Sequence, residues 1–192
     1  MKSSVFDKEL SYIKNDRLRE SVKILLDMLP DYFYEIAASS TGKYHPSFSL
    51  GDGGLVRHTK VAVRIANELF NDASLFTSYT NDEKDLLIMS LLLHDGLKEG
   101  IVKEKYVRFD HPLLMANFIR DNIGKTKLTD EEANIMANSI ASHMGPWNTN
   151  QPYTSVVLPI PKNKYEQFIH MCDYLASRKF LDVKFNGNDI SE

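Results

Sequence analysis

Apolar residues recur at helical spacing along most of the chain, and that periodicity restricts it to packing helices against helices. Between Glu9 and Leu29 the stripe is Leu10, Ile13, Leu18, Val22, Leu25, Leu26 and Leu29, closed by Pro30. Leu55 to Phe70 repeats the pattern with Val56, Val61, Val63, Ile65, Ala66 and Leu69. Thr80 with Glu83, and Thr129 with Glu132, have the spacing of a capping box, in which each side chain satisfies the other's free backbone N–H. They predict helices running to about Asp95 and about His143. Pro112 to Ile123, closed by Gly124, and Tyr165 to Leu181 complete the set, and Asp31 to Ser39 reads as a short aromatic helix. Strand signals are sparse: a short β-hairpin over Ile101 to Arg108 and a strand at Tyr153 to Leu158. The expectation is an all-α bundle with at most a short hairpin, and a loose tail after Leu181.

At 192 residues the chain can build one core, and no repeat or linker divides it. A single domain over 1–192 is expected, its centre about 45–182 with N-terminal helices 6–40 packed on it. A net charge of -3 gives no electrostatic basis for tight binding to long nucleic acid, although a nucleotide held locally remains compatible. The lone cysteine, Cys172, cannot close an internal disulfide. With no membrane-length apolar run and no signal-like start, the expected location is cytoplasmic, with no membrane partner. Nothing in the sequence bears on oligomeric state.

Six residues of metal-ligand type follow in order: His58, the adjacent pair His94-Asp95, His111, His143 and Asp173. They fall near the starts and ends of the predicted helices. Imidazole nitrogen mixed with carboxylate oxygen suits Mn, Fe, Co, Ni or Zn. Helices that converge with one ligand each are a common way to hold such ions. Neighbouring residues on a helix point about 100° apart, so His94 and Asp95 can face one site only near a helix end or between two ions. Gly96 marks such an end.

This order resembles the HD superfamily of metal-dependent phosphohydrolases. Gly53-Gly54-Leu55-Val56-Arg57-His58-Thr59 is similar to the segment carrying that family's first histidine. Leu91-Leu92-Leu93-His94-Asp95-Gly96-Leu97-Lys98 is similar to its signature, although the family more often has glycine one place later. Phe168 to Leu175 resembles the helix with the closing aspartate. The likeness spans about residues 45–182. It implies one ion on His58, His94, Asp95 and Asp173. The further histidines resemble the two-metal branch, in which Asp95 would bridge and His111 and His143 would hold a second ion.

The implied activity is hydrolysis of a phosphoester or phosphoanhydride in a nucleotide-type substrate by metal-activated water. Asp95 and Lys98 are the catalytic candidates, Lys98 as a cation for a phosphate oxygen. Arg57, Lys98, Trp147 and Arg178 are the substrate-binding candidates, with Lys179 beside them. Two other functions stay open: a phosphodiesterase or 3′–5′ exonuclease on short oligonucleotides, and a non-catalytic nucleotide-binding HD domain. Plainer roles stay open as well. His111 could cap a helix, Arg57 and Arg178 could be solvated, and Trp147 could pack its own loop or stack on a base. His45 and His170 read as structural, Cys172 as an inert core residue, and Tyr32, Phe33, Tyr34, Tyr44 and Phe48 as packing. The glycine-rich stretch before His58 lacks the spacing and lysine of a phosphate-binding loop.

Overall fold

Five of the predicted helices form with ends shifted by a few residues in a computed structural model, which describes residues 1–39, 42, 45–181 and 183–191. The first stripe instead makes two helices, α1 (Asp7–Leu10) and α2 (Asp16–Met28). Asn15 caps α2 by accepting the backbone N–H of Arg17 at 3.0 Å. The break is held from a distance, because the buried carboxylate of Asp85 accepts the N–H groups of Lys14 and Asn15 at 3.0 and 2.8 Å.

Next come α3 (Gly54–Asn71), α4 (Asn81–Leu93), α5 (His111–Asp121), α6 (Asp130–Ala141) and α7 (Lys164–Ala176). Both predicted capping boxes are made, Thr80 with Glu83 and Thr129 with Glu132. In α4 every residue from Asp85 to Leu93 is buried, as a helix that is apolar all round requires. It forms the axis of the bundle, packed by α2, α3, α6 and α7. Ala116, Ala137 and Ala141 bring α5 close against α6. One apolar cluster extends from Phe6 to Ala176 through these helices.

Other expectations shift. Asp31–Tyr34 forms only a 3-10 turn that buries Tyr32 and Phe33; Tyr44 lies outside the described residues. Ile101 to Arg108 has no ladder. Its turns are held instead by the Tyr32 hydroxyl donating to the Gly100 carbonyl at 2.6 Å and by Arg108 gripping Glu104 and Asp110. Around Tyr153 to Leu158 only an isolated bridge, Thr149 to Val157, is made.

The hairpin lies in the segment expected to be loose. β1 (Phe185–Asn186) and β2 (Asp189–Ile190) pair antiparallel, Phe185 opposite Ile190. The Phe185 ring meets Phe48 at 5.6 Å, and Asp189 reaches the ammonium of buried Lys60 at 3.2 Å. Lys60 also pairs with buried Glu9 at 3.0 Å. A buried ammonium needs carboxylate partners, and that requirement draws the tail onto α3. No helix among the described residues is long and apolar enough to cross a membrane.

Candidate metal centre

All six ligand-type residues converge at one end of the bundle. His58 comes from the first turns of α3 and His94-Asp95 from the turn after α4. His111 opens α5, His143 follows α6, and Asp173 comes from the last turns of α7. The helix ends at Leu93 with His94 as its C-cap, still at helical angles (φ -51°, ψ -39°), so the pair diverges as helix neighbours do and Asp95 comes to stand between the two groups of ligands. Gly96 is needed here for closeness: a Cβ would come within 2.8 Å of Leu29 Cδ2 and 2.9 Å of Met115 Sδ.

The residues sort into two groups of potential ligands, His58, His94 and Asp173 in one, Asp95, His111 and His143 in the other. Asp173 Oδ1 lies 3.0 Å from His58 Nε2 and 3.4 Å from His94 Nε2. Asp95 stands between the groups. Its Oδ2 faces His94 Nε2 at 3.6 Å and His58 Nε2 at 3.9 Å, while its Oδ1 faces His111 Nε2 at 3.0 Å and His143 Nε2 at 3.7 Å. Lys98, one turn on, forms an ion pair with Asp95 Oδ2.

These residues fit a divalent cation. His94 Nε2, His111 Nε2 and Asp95 Oδ1 are buried, with no hydrogen-bond partner among the described residues. Orphaned buried polar atoms are rare and costly, and here three share one space. The other ring nitrogen of three histidines is engaged by the backbone. His94 Nδ1 bonds to the Leu91 carbonyl at 2.7 Å, His111 Nδ1 to Arg108 at 2.6 Å and His143 Nδ1 to Ile140 at 2.8 Å. A carbonyl accepts only from N–H, so in the neutral form of each of these rings the lone pair is on Nε2, turned inward, as a metal ligand requires.

Charge in the site is balanced among its members. Burial alone would raise Asp95, but Lys98, His94 and His111 beside it hold it well below the usual carboxylate range. Asp173 is likewise opposed by burial and held low by His58 and His94. Burial pushes His143 down to about 3 against the pull of Asp173, so the ring is neutral and able to coordinate. His94 goes the other way: burial would lower it, but Asp95 and Asp173 raise it. A bound cation would compete with the proton that these carboxylates favour on His94.

The centre opens into a cavity of about 640 Å³. His58, Asp95, Lys98, His111, His143 and Asp173 line it, and so do Trp147 and Arg178. Two other basic candidates lie elsewhere. Arg57 is not on the wall, because its guanidinium donates to the Phe48 and Leu50 carbonyls at 2.5 and 2.8 Å and reaches Asn188 at 3.4 Å. Lys179 is exposed and also off the wall. Cys172 is buried, and burial pushes its thiol up, which fits a packed core residue.

Sequence reasoning overlooked Tyr174 and Ser177, and treated His45 and His170 as merely structural; all four line the cavity. The helical period gives a signal for three of them, since 170, 173–174 and 177 share one face of α7. His45 has no such signal. Its Nδ1 is buried without a hydrogen-bond partner among the described residues, and burial, with the neighbouring His58, pushes the ring down to about 4. His170 Nδ1 bonds to the His143 carbonyl at 2.7 Å and so pins the turn after α6 onto α7. Gly145, at φ 60°, lies directly against the His170 ring, where a Cβ would collide.

Gly145→Ala is therefore expected to lose stability by about 1–3 kcal/mol from the left-handed backbone, plus whatever moving the ring adds. Thermal unfolding with a metal assay checks it, and an unchanged melting temperature would show that the turn yields freely. No family profile, curated protein or solved structure matches the chain, so its functional reading rests on the geometry of this centre.

Proposed function

We propose that this chain is a metal-dependent phosphohydrolase of the HD type, a single domain that cleaves a phosphoester or phosphoanhydride in a nucleotide-type substrate. One observation carries the proposal: Asp95 turns one oxygen towards each group of buried ligand-type side chains, the placement a carboxylate shared by two ions would need. His58, His94 and Asp173 would hold one cation and His111 and His143 the other. Such ions, when bound, make a coordinated water acidic and neutralise charge on a phosphoryl group.

The chain's own residues supply the rest. Lys98 places a fixed ammonium at the cavity wall, where a phosphoryl oxygen gaining charge needs a donor. Arg178 adds a second cation farther along the wall. Val107 and Met144 give it apolar surface, which excludes water and strengthens those charges.

Protein purified without chelator is expected to carry first-row transition metal. It should hydrolyse members of a panel of nucleotides, dinucleotides and short oligonucleotides with manganese, cobalt or nickel, and stop in EDTA. Mononucleotide release from the 3′ end of oligomers would move the reading to an exonuclease, and binding without turnover to a nucleotide-binding domain. Undiminished activity of metal-free protein in EDTA would overturn the proposal. His111→Ala or His143→Ala should lower metal content towards one ion per chain with circular dichroism unchanged. If both variants kept the wild-type metal count, His111 and His143 would not be ligands of a second ion, and the first site would be left standing.

A further inference from the structure

Beside the metal centre, the cavity wall is built from flat side chains in an unusual state. Trp147, the only tryptophan in the chain, is 52% exposed, although its ring is the largest apolar surface a side chain can bury. It is also held in place. The turn that carries it closes through Trp147 N–H donating to the Met144 carbonyl at 3.2 Å, and His170 fixes that turn at the His143 carbonyl. The indole lies nearly parallel to the Tyr174 ring, at 13° with centroids 5.8 Å apart. The Arg178 guanidinium sits 4.1 Å from the centre of the same tyrosine ring, and its Nε donates to the Tyr174 carbonyl at 3.1 Å. Trp147, Tyr174 and Arg178 all line the cavity together with His143 and Asp173.

We propose that Trp147, braced by Tyr174 and Arg178, is a stacking platform for a nucleobase, and that the substrate is a nucleoside phosphate bound with its base on this indole and its phosphate towards Lys98. This deepens the phosphohydrolase proposal and rests on it for the phosphate half; the base half stands on the wall alone. Trp147 is four residues beyond His143, and Tyr174 is the neighbour of Asp173 on α7. The platform and the ligand cluster therefore share supports and line one cavity. A rigid, half-exposed aromatic at a cavity wall loses little conformational freedom on binding, and every base has a π-face to offer it. Tyr174 and His170, with ring centroids 5.8 and 6.3 Å from the indole, pack against it and restrict its rotation.

The test uses the tryptophan as its own reporter, because no other indole contributes emission. Protein as purified is titrated with adenosine, which has a base and no phosphoryl bond to hydrolyse, and with ribose 5-phosphate, which has a phosphate and no base. Adenosine should quench and shift the emission with saturation, and ribose 5-phosphate should leave it unchanged. By calorimetry, Trp147→Ala should weaken adenosine monophosphate binding on the order of 5- to 100-fold, and Trp147→Phe should recover most of the loss. Tyr174→Ala should weaken it less and broaden the emission, because it removes the brace and not the platform. If adenosine leaves the emission unchanged, or Trp147→Ala binds adenosine monophosphate as tightly as wild type, the platform is overturned, whether or not the protein hydrolyses phosphoesters. A saturable adenosine response in a protein that holds no metal would keep the platform and remove the phosphohydrolase reading.

Discussion

Asp95→Ala protein is expected to leave purification with little bound transition metal and with nucleotide hydrolysis at assay background. Its carboxylate meets both ligand groups, with Oδ2 towards His94 and His58 and Oδ1 towards His111 and His143. Removing it takes an anionic donor from both places at once. It also strands Lys98, whose side chain is 11% exposed and pairs with that carboxylate. Breaking a buried pair from one side costs about 3–5 kcal/mol, so the alanine variant could lose metal merely by loosening the site. Asp95→Asn separates the two causes, since it keeps the shape and one acceptor oxygen but removes the charge. It should fold, lose less stability in EDTA than the alanine variant because it keeps an acceptor for Lys98, and still bind less metal. Wild-type metal content and turnover in both variants would refute the shared role of Asp95.

Lys98→Ala is the second large effect, with turnover expected to fall on the order of 10²–10³-fold, as when one fixed electrostatic contact to a transition state is removed. A protonated lysine has no lone pair, so it cannot be a ligand, and metal content should stay. The ion pair with Asp95 adds a second signature. In metal-free protein Lys98 is the cation that neutralises a buried carboxylate, so Lys98→Ala should melt earlier than wild type in EDTA. With metal present, bound cations take over that task and the two curves should approach each other. Lys98→Arg should restore the EDTA melting curve better than the rate, because a planar fork keeps the charge but not the compact point donor. Turnover within twofold of wild type for the alanine variant would make Lys98 a partner of Asp95 and nothing more.

Much of this was legible in the sequence because it is written locally. Thr80 with Glu83 and Thr129 with Glu132 carry both halves of a helix start within four residues, and both formed as predicted. The order of His58, His94-Asp95, His111, His143 and Asp173 at helix ends was readable for the same reason. What was not readable depends on partners far along the chain. The break before α2 needs Asp85, some 70 residues away. The tail hairpin needs the buried ammonium of Lys60, and no local pattern in Phe185 to Ile190 announces it. Arg57 sits beside a ligand in sequence yet points to the Phe48 and Leu50 carbonyls, since neighbours on a helix face different directions. Tyr174 was missed on the same ground in reverse: it is adjacent to a ligand and happens to reach the same cavity.

Three imidazoles each grip the carbonyl three residues before them, those of Leu91, Arg108 and Ile140. Their donor atoms are thus aimed by the backbone, and the helices that aim them are held by an apolar core extending from Phe6 to Ala176. A core of that extent predicts that folding does not wait for an ion, unlike small zinc modules whose free energy of folding is that of metal binding. A cation would act on the stability of this chain only by mass action, adding RT ln(1 + [M]/Kd), or about 2.7 kcal/mol at a hundredfold excess over Kd. The melting temperature would climb smoothly with free metal from an already folded baseline, and the slope of that climb would report the affinity of the centre without any substrate.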